Sequence, residues 1–472
     1  MRDWLREDPI VLVSGRGTEL KDVRGRRYLD ANSSIWTNLH GHNHPALNRA
    51  LSRQLGKVAH TSALGLANEP ASLLAARLVK SARDGLAPAI RSKAGPELSR
   101  VFFSDDGSTA LEVALKLAYE CTRRTRGPKP PPRFISVEGA YHGDTVGAVS
   151  VGHIDLFHRT WSGLLFKTDA VMAPYCYRCP FNRAKPDRAD ARSYRKCQWE
   201  CTAKVDRALD QAAKRGRPYA GFVFEPVMQG AAGMIAQPDG WLGRVAGAAR
   251  AHGALLIADE VMTGFGRTGA APPAGSRQSA RPSLFASHRE GIQPDFLCLA
   301  KGLTGGYLPM AATLTTDRVF EAFLGDYAEF KTFFHGHSYT GNQLGAAAAV
   351  ASLDLLEAPA GRRSRVELEG HLARELDTLW ALPAVGDIRQ AGLVAGIELV
   401  RNWRTREAFP LTARAGIRVC QAMAKRGVLT RPIGNVVVLM PPYSTTPRQL
   451  QRMVHALAES VTEVLGTSNE QV

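Results

Sequence analysis

The chain has 472 residues, 44% of them apolar and 22% charged, a balance that predicts a globular core and excludes a disordered chain or a coiled coil. No run reaches the roughly 18 apolar residues of a membrane span, and the opening Met1-Arg-Asp-Trp4-Leu-Arg-Glu-Asp-Pro9 lacks the apolar stretch of a secretory signal, so the cytoplasm is the expected location. The net charge is +16, but its densest clusters, Arg123-Arg124-Thr-Arg126 and Lys214-Arg215-Gly-Arg217, fall near expected helix ends without interleaved aromatics; small anions rather than nucleic acid are the expected partners.

In chain order, residues 10–30 read as short strands separated by turns at Gly15-Arg-Gly17 and Arg24-Gly25. Pro45 suits a first helical turn, and Leu47, Leu51 and Leu55 follow it at helical spacing. A second helix, from Pro70 to about Arg83, carries Leu73, Leu74 and Leu78. From residue 100 short apolar runs at 101–103, 134–137, 222–224, 254–258 and 296–299 alternate with helices or loops. Such runs predict a largely parallel sheet buried on both faces, with ligands gathered at the strand ends. Thr109, followed three residues later by Glu112, reads as a capping box opening a helix.

Gly127-Pro-Lys-Pro-Pro-Pro132 reads as a stiff connector and residues 270–282 as a flexible loop. Seven cysteines do not make a disulfide scaffold. Cys176-x2-Cys179 and Cys197-x3-Cys201 are loosely compatible with tetrahedral zinc, but the second pair is spaced as on a helix; ordinary thiols and no metal are expected. After an alanine-rich helix at 343–356, residues 362–472 read as a second α/β unit, with strands at 394–399 and 436–439 and helices near 365–380, 412–426 and 447–464.

The sharpest chemical signal is Asp259-Glu260-Val-Met-Thr-Gly-Phe-Gly-Arg267-Thr-Gly269 at the end of one strand, followed by Lys301-Gly302 at the end of another. A carboxylate and a lysine meeting there suit pyridoxal 5'-phosphate, which needs an amine for its aldehyde and an anion against its pyridine nitrogen. Asp106-Gly107-Ser108-Thr109 lies between a strand and a helix start, where free N–H groups favour a phosphate. On local sequence alone a solvated strand end is the simpler reading of Lys301 and a core aromatic that of Tyr141, while Gly107-Ser108 suits an ordinary turn and cap as well as a phosphate loop.

Together with Asp30-Ala-Asn-Ser33-Ser34-Ile-Trp36, Gly139-Ala-Tyr141-His142-Gly-Asp144, Glu225-Pro-Val-Met-Gln229 and His335-Gly336-His337-Ser338-Tyr339-Thr-Gly-Asn342, these blocks resemble the class III aminotransferases along residues 10–465. Within that family the Ser-Ser-x-Trp and His-Gly-His-Ser-Tyr-Thr-Gly-Asn blocks resemble the branch that aminates 8-amino-7-oxononanoate in biotin synthesis. The resemblance implies an α/β fold of the fold-type I pyridoxal-phosphate class, with a large, mostly parallel-sheet domain (60–345) and a smaller α/β domain (1–59 and 346–472). It implies Lys301 as the Schiff-base amine, Asp259 against the pyridine nitrogen and Tyr141 on the ring, with Glu225, Gln229 and His142 beside them. Gly107 and Ser108 would hold the phosphate with His337 and Ser338, Ser338 reaching in from a partner subunit of a homodimer. Trp36, Tyr141, Asp144, Arg267 and Gly336 would line the substrate pocket, and Arg431 would bind the keto-substrate carboxylate. The amino donor is S-adenosylmethionine in most enzymes of this kind and lysine in a subgroup that this chain also resembles; a class III decarboxylase or aminomutase would use the same Lys301 and Asp259.

Three departures stand out. A Trp-x-Pro-Phe/Tyr-Thr segment that helps roof the family's pocket has no counterpart at Met1-Arg-Asp-Trp4. Ile35 replaces the first of two adjacent tryptophans, and Asp105-Asp106 precedes Gly107, which puts anions near the expected phosphate.

Overall fold

The computed structural model describes residues 8–269 and 283–466; the opening residues with Trp4, the loop read at 270–282 and the last six residues lie outside the described residues. Four of the apolar runs, Phe134–Val137, Gly221–Phe224, Leu255–Asp259 and Phe296–Leu299, are buried at every position, as strands with no solvent face must be. They form the middle of a seven-stranded sheet ordered Leu98–Ser104, Ala311–Thr316, Phe296–Leu299, Leu255–Asp259, Gly221–Phe224, Phe134–Val137, Asp169–Val171. Neighbours pair parallel except at Ala311–Thr316, which is antiparallel to both of its neighbours. That strand escaped sequence reading because its threonines look solvent-facing. Inside the sheet they are satisfied instead: the Thr313 and Thr315 hydroxyls donate to the carbonyls of Ala110 and Asp295 at 2.8 and 3.0 Å. Phe222, Phe224, Leu256 and Leu297 join Trp241 and Leu242 in the main core, each such buried side chain contributing about 1.5–3 kcal/mol.

The helix Gly107–Arg126 opens three residues earlier than the Thr109/Glu112 pairing predicts. Asp106, a stronger capping residue than threonine, takes the N-cap: its carboxylate accepts from Thr109 N at 2.9 Å while the Thr109 hydroxyl accepts from Asp106 N at 3.0 Å. Glu112 is thereby free for another task, and accepts from Gly147 N at 2.7 Å.

The strands Leu12–Arg16, Glu19–Asp22 and Arg27–Asp30 form an antiparallel meander whose last member pairs in parallel with Val428–Leu429. Leu29 and Ala31 therefore share a core with Leu372, Val419, Val437 and Leu450, joining the two ends of the chain. Val385–Ala391, Val394–Asn402, Val436–Leu439 and Pro432–Ile433 form a third, antiparallel sheet, with Glu407–Ala408 paired to Val394–Asn402. Helices Pro359–Asp377, Ala415–Lys425 and Pro447–Leu465 contribute to the same core.

The second cysteine pair does not share a helix. Trp199, in the left-handed region at φ +63°, caps the helix Glu200–Lys214, which carries Cys201 and leaves Cys197 ahead of it. All seven cysteines are free thiols, and among the described residues no group of three or more His, Cys, Asp or Glu side chains is arranged to hold a metal. Among the described residues no single helix is long and apolar enough to cross a membrane.

Candidate active site

The parallel register sets Asp259 opposite Cys298, so the carboxylate ends its strand where the neighbouring chain runs on toward Lys301. Both side chains line a cavity of about 420 Å³, within the roughly 300–1,000 Å³ of small-molecule sites. Asp259 Oδ2 lies 2.8 Å from His142 Nδ1 and its Oδ1 accepts from Val261 N at 3.0 Å. His142 Nε2 is buried with no hydrogen-bond partner. Behind them Glu225 accepts from Gly230 N at 2.8 Å; burial pushes its carboxyl up to about 7, with His142 opposing and Asp259 reinforcing the shift. Burial lowers the Lys301 ammonium from its ordinary range, against the pull of Asp259 and Glu225, which favours the nucleophilic neutral amine. Its Nζ lies 4.8 Å from the centre of the Trp36 ring.

The other end of the cavity is the N-terminus of Gly107–Arg126, lined by Gly107 and Ser108. A Cβ on Gly107 would lie 2.7 Å from Val261 Cγ1, and one on Gly143, at φ +121°, would collide with Ser108 Oγ; both glycines keep the backbone close to the space a ligand would enter. The flanking anions are partly committed: Asp106 to its cap, and Asp105 to His337 Nε2 at 3.4 Å. Tyr141 lines the cavity and lies nearly parallel to the His158 ring, centroids 6.2 Å apart. Burial, with Asp144 hydrogen bonding, pushes its hydroxyl up to about 12.

Ser33, Ser34, Ile35 and Trp36 all have positive φ, from +47° to +71°. A left-handed turn of L-residues costs about 1–2 kcal/mol per residue, so the surroundings must hold it in place. Trp36 Nε1 donates to Asn32 Oδ1 at 2.9 Å and Ser33 Oγ donates to the Met440 carbonyl at 2.7 Å.

Of the residues singled out from sequence, Lys301, Asp259, Tyr141, His142, Glu225, Gly107, Ser108 and Trp36 line this one cavity, and Gln229 donates to the Glu138 carbonyl at 3.1 Å. The others lie apart from its lining. Arg267 is buried, donating to the carbonyls of Pro441 and Asn38 at 2.7 and 3.2 Å; Asp144 is exposed, with its N–H donating to Ser108 Oγ at 3.2 Å. Gly336, His337, Ser338 and Arg431 are exposed, and the Ser338 carbonyl is bonded by His60 Nε2 at 2.7 Å. Among the lining residues that sequence reasoning missed are Val261, Met262 and Tyr307–Met310. Their signal was proximity: two lie within three residues of Asp259 and the rest follow the Gly305-Gly306 pair after Lys301.

A pyridine aldehyde phosphate fits these groups, with a carboxylate at one end, a helix N-terminus at the other and an amine of lowered basicity between. A family model described as aminotransferase class-III matches residues 3–461. The chain is 45% identical to the adenosylmethionine-8-amino-7-oxononanoate aminotransferase of Geobacter sulfurreducens over 469 residues, 99% of this chain and 95% of that protein. The crystal structure of the enzyme of that name from Methanocaldococcus jannaschii matches with a TM-score of 0.83 at 37% identity, over 98% of this chain and 95% of that one. An amine transaminase from an uncultivated Pseudomonas species, solved in its PLP-bound form, matches with a TM-score of 0.83 at 31% identity, over 97% and 96%. The expected fold-type I architecture is thus the observed one, and the chain belongs to the class III aminotransferases, with pyridoxal 5'-phosphate as its cofactor.

Proposed function

We propose that the chain transfers an amino group from S-adenosyl-L-methionine to 8-amino-7-oxononanoate, giving 7,8-diaminononanoate, as a cytoplasmic homodimer. The observation that carries this reading is the convergence of Lys301, Asp259 and Glu225 on one cavity closed at its far end by the Gly107 helix terminus; the names of the full-length relatives supply the substrates. The cofactor, when bound, supplies an aldehyde that captures amines and a protonated ring nitrogen that accepts electron density.

In this reading Lys301 Nζ would hold the cofactor through its aldehyde and, as a free amine, would take and return the proton of the substrate carbon. Asp259 keeps the ring nitrogen protonated, and the His142 hydrogen bond fixes the orientation of that carboxylate. Tyr141 would pack on the ring, Gly107 and Ser108 would bind the phosphate together with Ser338 of the partner subunit, and His337, beside Asp105, would add to the cofactor site. Trp36, Asp144, Arg267 and Gly336 shape the substrate side, and Arg431 receives the distal carboxylate. Large exposed side chains at Leu64, Tyr327, Phe334 and Tyr339 support a dimer by offering apolar surface for burial. The chain divides, on this reading, into 60–345 and a smaller unit of 1–59 with 346–472, supported by the pairing of Leu29–Asp30 with Val428–Leu429.

Borohydride reduction of the holoenzyme followed by peptide mapping should place the cofactor on Lys301; a label on another lysine rejects the assignment. Mixing the holoenzyme with S-adenosylmethionine or lysine and following the cofactor absorbance identifies the donor. Conversion by lysine alone would replace S-adenosylmethionine in the reading, and conversion by neither would reject it.

A further inference from the structure

The run Ser33–Trp36 is the longest left-handed stretch among the described residues, and a ring of polar side chains surrounds it. Asp30, at the end of Arg27–Asp30, is 3% exposed. Its Oδ1 accepts from Asn32 N at 3.1 Å and Ser34 N at 3.2 Å; its Oδ2 accepts from the Ser34 hydroxyl at 3.2 Å and lies 2.9 Å from His42 Nε2. Asn38 Nδ2 donates to His42 Nδ1 and to Ser34 Oγ, both at 3.2 Å. Because Asn38 can only donate through that nitrogen, His42 accepts on Nδ1 and carries its proton on Nε2, which therefore donates to Asp30. The hydrogen bonds close a circuit from Asp30 through His42, Asn38 and Ser34 back to Asp30.

The strain inside this circuit is not offset locally. Ile35, a β-branched residue at φ +63°, is 45% exposed, so its own burial does not hold it in a conformation that suits glycine. Such backbone persists only where its surroundings over-determine it. What the turn delivers is Trp36, with its indole nitrogen on Asn32 and its ring 4.8 Å from Lys301 Nζ. Arg267 braces the same loop through the Asn38 carbonyl.

We propose that Asp30 and His42 are positioning residues: with Ser34 and Asn38 they hold the left-handed turn that places the Trp36 indole over Lys301. The inference rests on the reading of Lys301 as the cofactor amine, so its first readout is taken on the cofactor-free protein. There the Trp36 emission is isolated by subtracting the spectrum of the matching Trp36→Phe protein; the second readout is kcat/KM of the holoenzyme.

Asp30→Asn is expected to shift the Trp36 emission to longer wavelength and lower kcat/KM by at least about tenfold, as misplacement of a positioning group does. Ser34→Ala, which alters an exposed residue and spares the buried carboxylate, should move both readouts the same way but less. Ile35→Gly in the Asp30→Asn background should restore both to within about threefold of the parent, since glycine adopts this φ without penalty. An unchanged Trp36 emission in Asp30→Asn, or a folded double variant with no recovery, would overturn the proposal. If borohydride instead labels a different lysine, the reading of Lys301 fails separately, with the emission result still reporting on the clasp.

Discussion

Two clusters of buried charge in this molecule are built to opposite ends. Around Arg389, whose side chain is 2% exposed, every nitrogen of the guanidinium is engaged. Nη1 donates to Asp387 at 2.8 Å and to Glu398 at 2.6 Å, Nε to the Met234 carbonyl at 2.9 Å and Nη2 to the Gly233 carbonyl at 2.7 Å. Glu398 also accepts from Arg178 Nε at 2.7 Å and from the Tyr175 hydroxyl. In the cleft, by contrast, Asp259 meets His142 but the far ring nitrogen of that histidine is orphaned, and Lys301 has an aromatic face rather than a carboxylate against its Nζ. Saturated charges tie strands together; unsaturated ones lining a cavity are left for a ligand to complete. The contrast assigns structure to one cluster and chemistry to the other, although both are buried.

The largest effect expected from breaking this contrast is on turnover. Lys301→Ala should lower kcat by at least about 10⁴-fold, since one side chain serves as both nucleophile and proton carrier. The denaturation midpoint of the cofactor-free variant should stay level or rise, because a poorly paired amine has been removed from a buried wall. A fall in that midpoint comparable with the loss expected at Arg389 would show that Lys301 is part of the scaffold instead.

Arg389→Met should do the reverse. Removing the cation strands Asp387 and Glu398, a loss of about 3–5 kcal/mol for a broken buried pair, read as a lower midpoint in urea. Turnover per folded molecule should remain within about twofold of the parent. A large loss of turnover at unchanged stability would erase the distinction between the clusters.

The same contrast explains what was legible in the sequence. Strands whose residues are wholly or mostly apolar, such as 296–299 and 134–137, were readable to the residue. Val385–Ala391 was not, because Asp387 and Arg389 interrupt its apolar pattern and their mutual neutralisation exists only in three dimensions. In the cleft, Lys301, Asp259 and Gly107 were recognisable from the blocks around them, since their chemistry constrains residue type. The contacts that hold Trp36 were not: a left-handed Ser-Ser-Ile-Trp contains no glycine to announce it, and its circuit closes through His42 and Asn38 by folding. Arg267 and Arg431 owe their proposed substrate contacts to family likeness alone: one is buried and held by carbonyls, the other exposed.

Glu225 offers a smaller and pH-dependent test. Its carboxyl titrates near 7 in the folded protein, against about 4.5 for an ordinary glutamate, so between those values the folded state holds a proton that the unfolded state has released. Its stabilising contribution is therefore fully present below about 4.5 and is lost as pH rises through about 7. Comparing urea midpoints of cofactor-free wild type and Glu225→Gln from pH 5 to 8 should show the wild type losing stability relative to the variant, by on the order of 2 kcal/mol. Parallel curves would mean that His142 and the Gly230 N–H keep the carboxyl ionised throughout.

The smallest expected effect concerns the helix terminus, where one group serves both purposes. Asp106 lines the cavity and caps Gly107–Arg126 through Thr109 N. As a cap it satisfies an orphan N–H, and as an anion it competes with a phosphate for the positive end of the same helix. Asparagine caps about as well as aspartate but carries no charge, so Asp106→Asn separates the two roles. The cofactor-free variant should match wild type to within about 0.5 kcal/mol, whereas its affinity for pyridoxal phosphate should rise by a factor of about 2–5, corresponding to the 0.3–1 kcal/mol of a charge at a helix end. The gain should shrink as salt is raised from 20 to about 500 mM, because an exposed carboxylate is screened. Asp106→Ala should lose about 1 kcal/mol of stability without cofactor and recover part of it on binding, as the phosphate takes over the freed N–H. Equal affinity for wild type and Asp106→Asn at low salt would place the phosphate beyond the field of Asp106 and move the cofactor away from the Gly107 terminus.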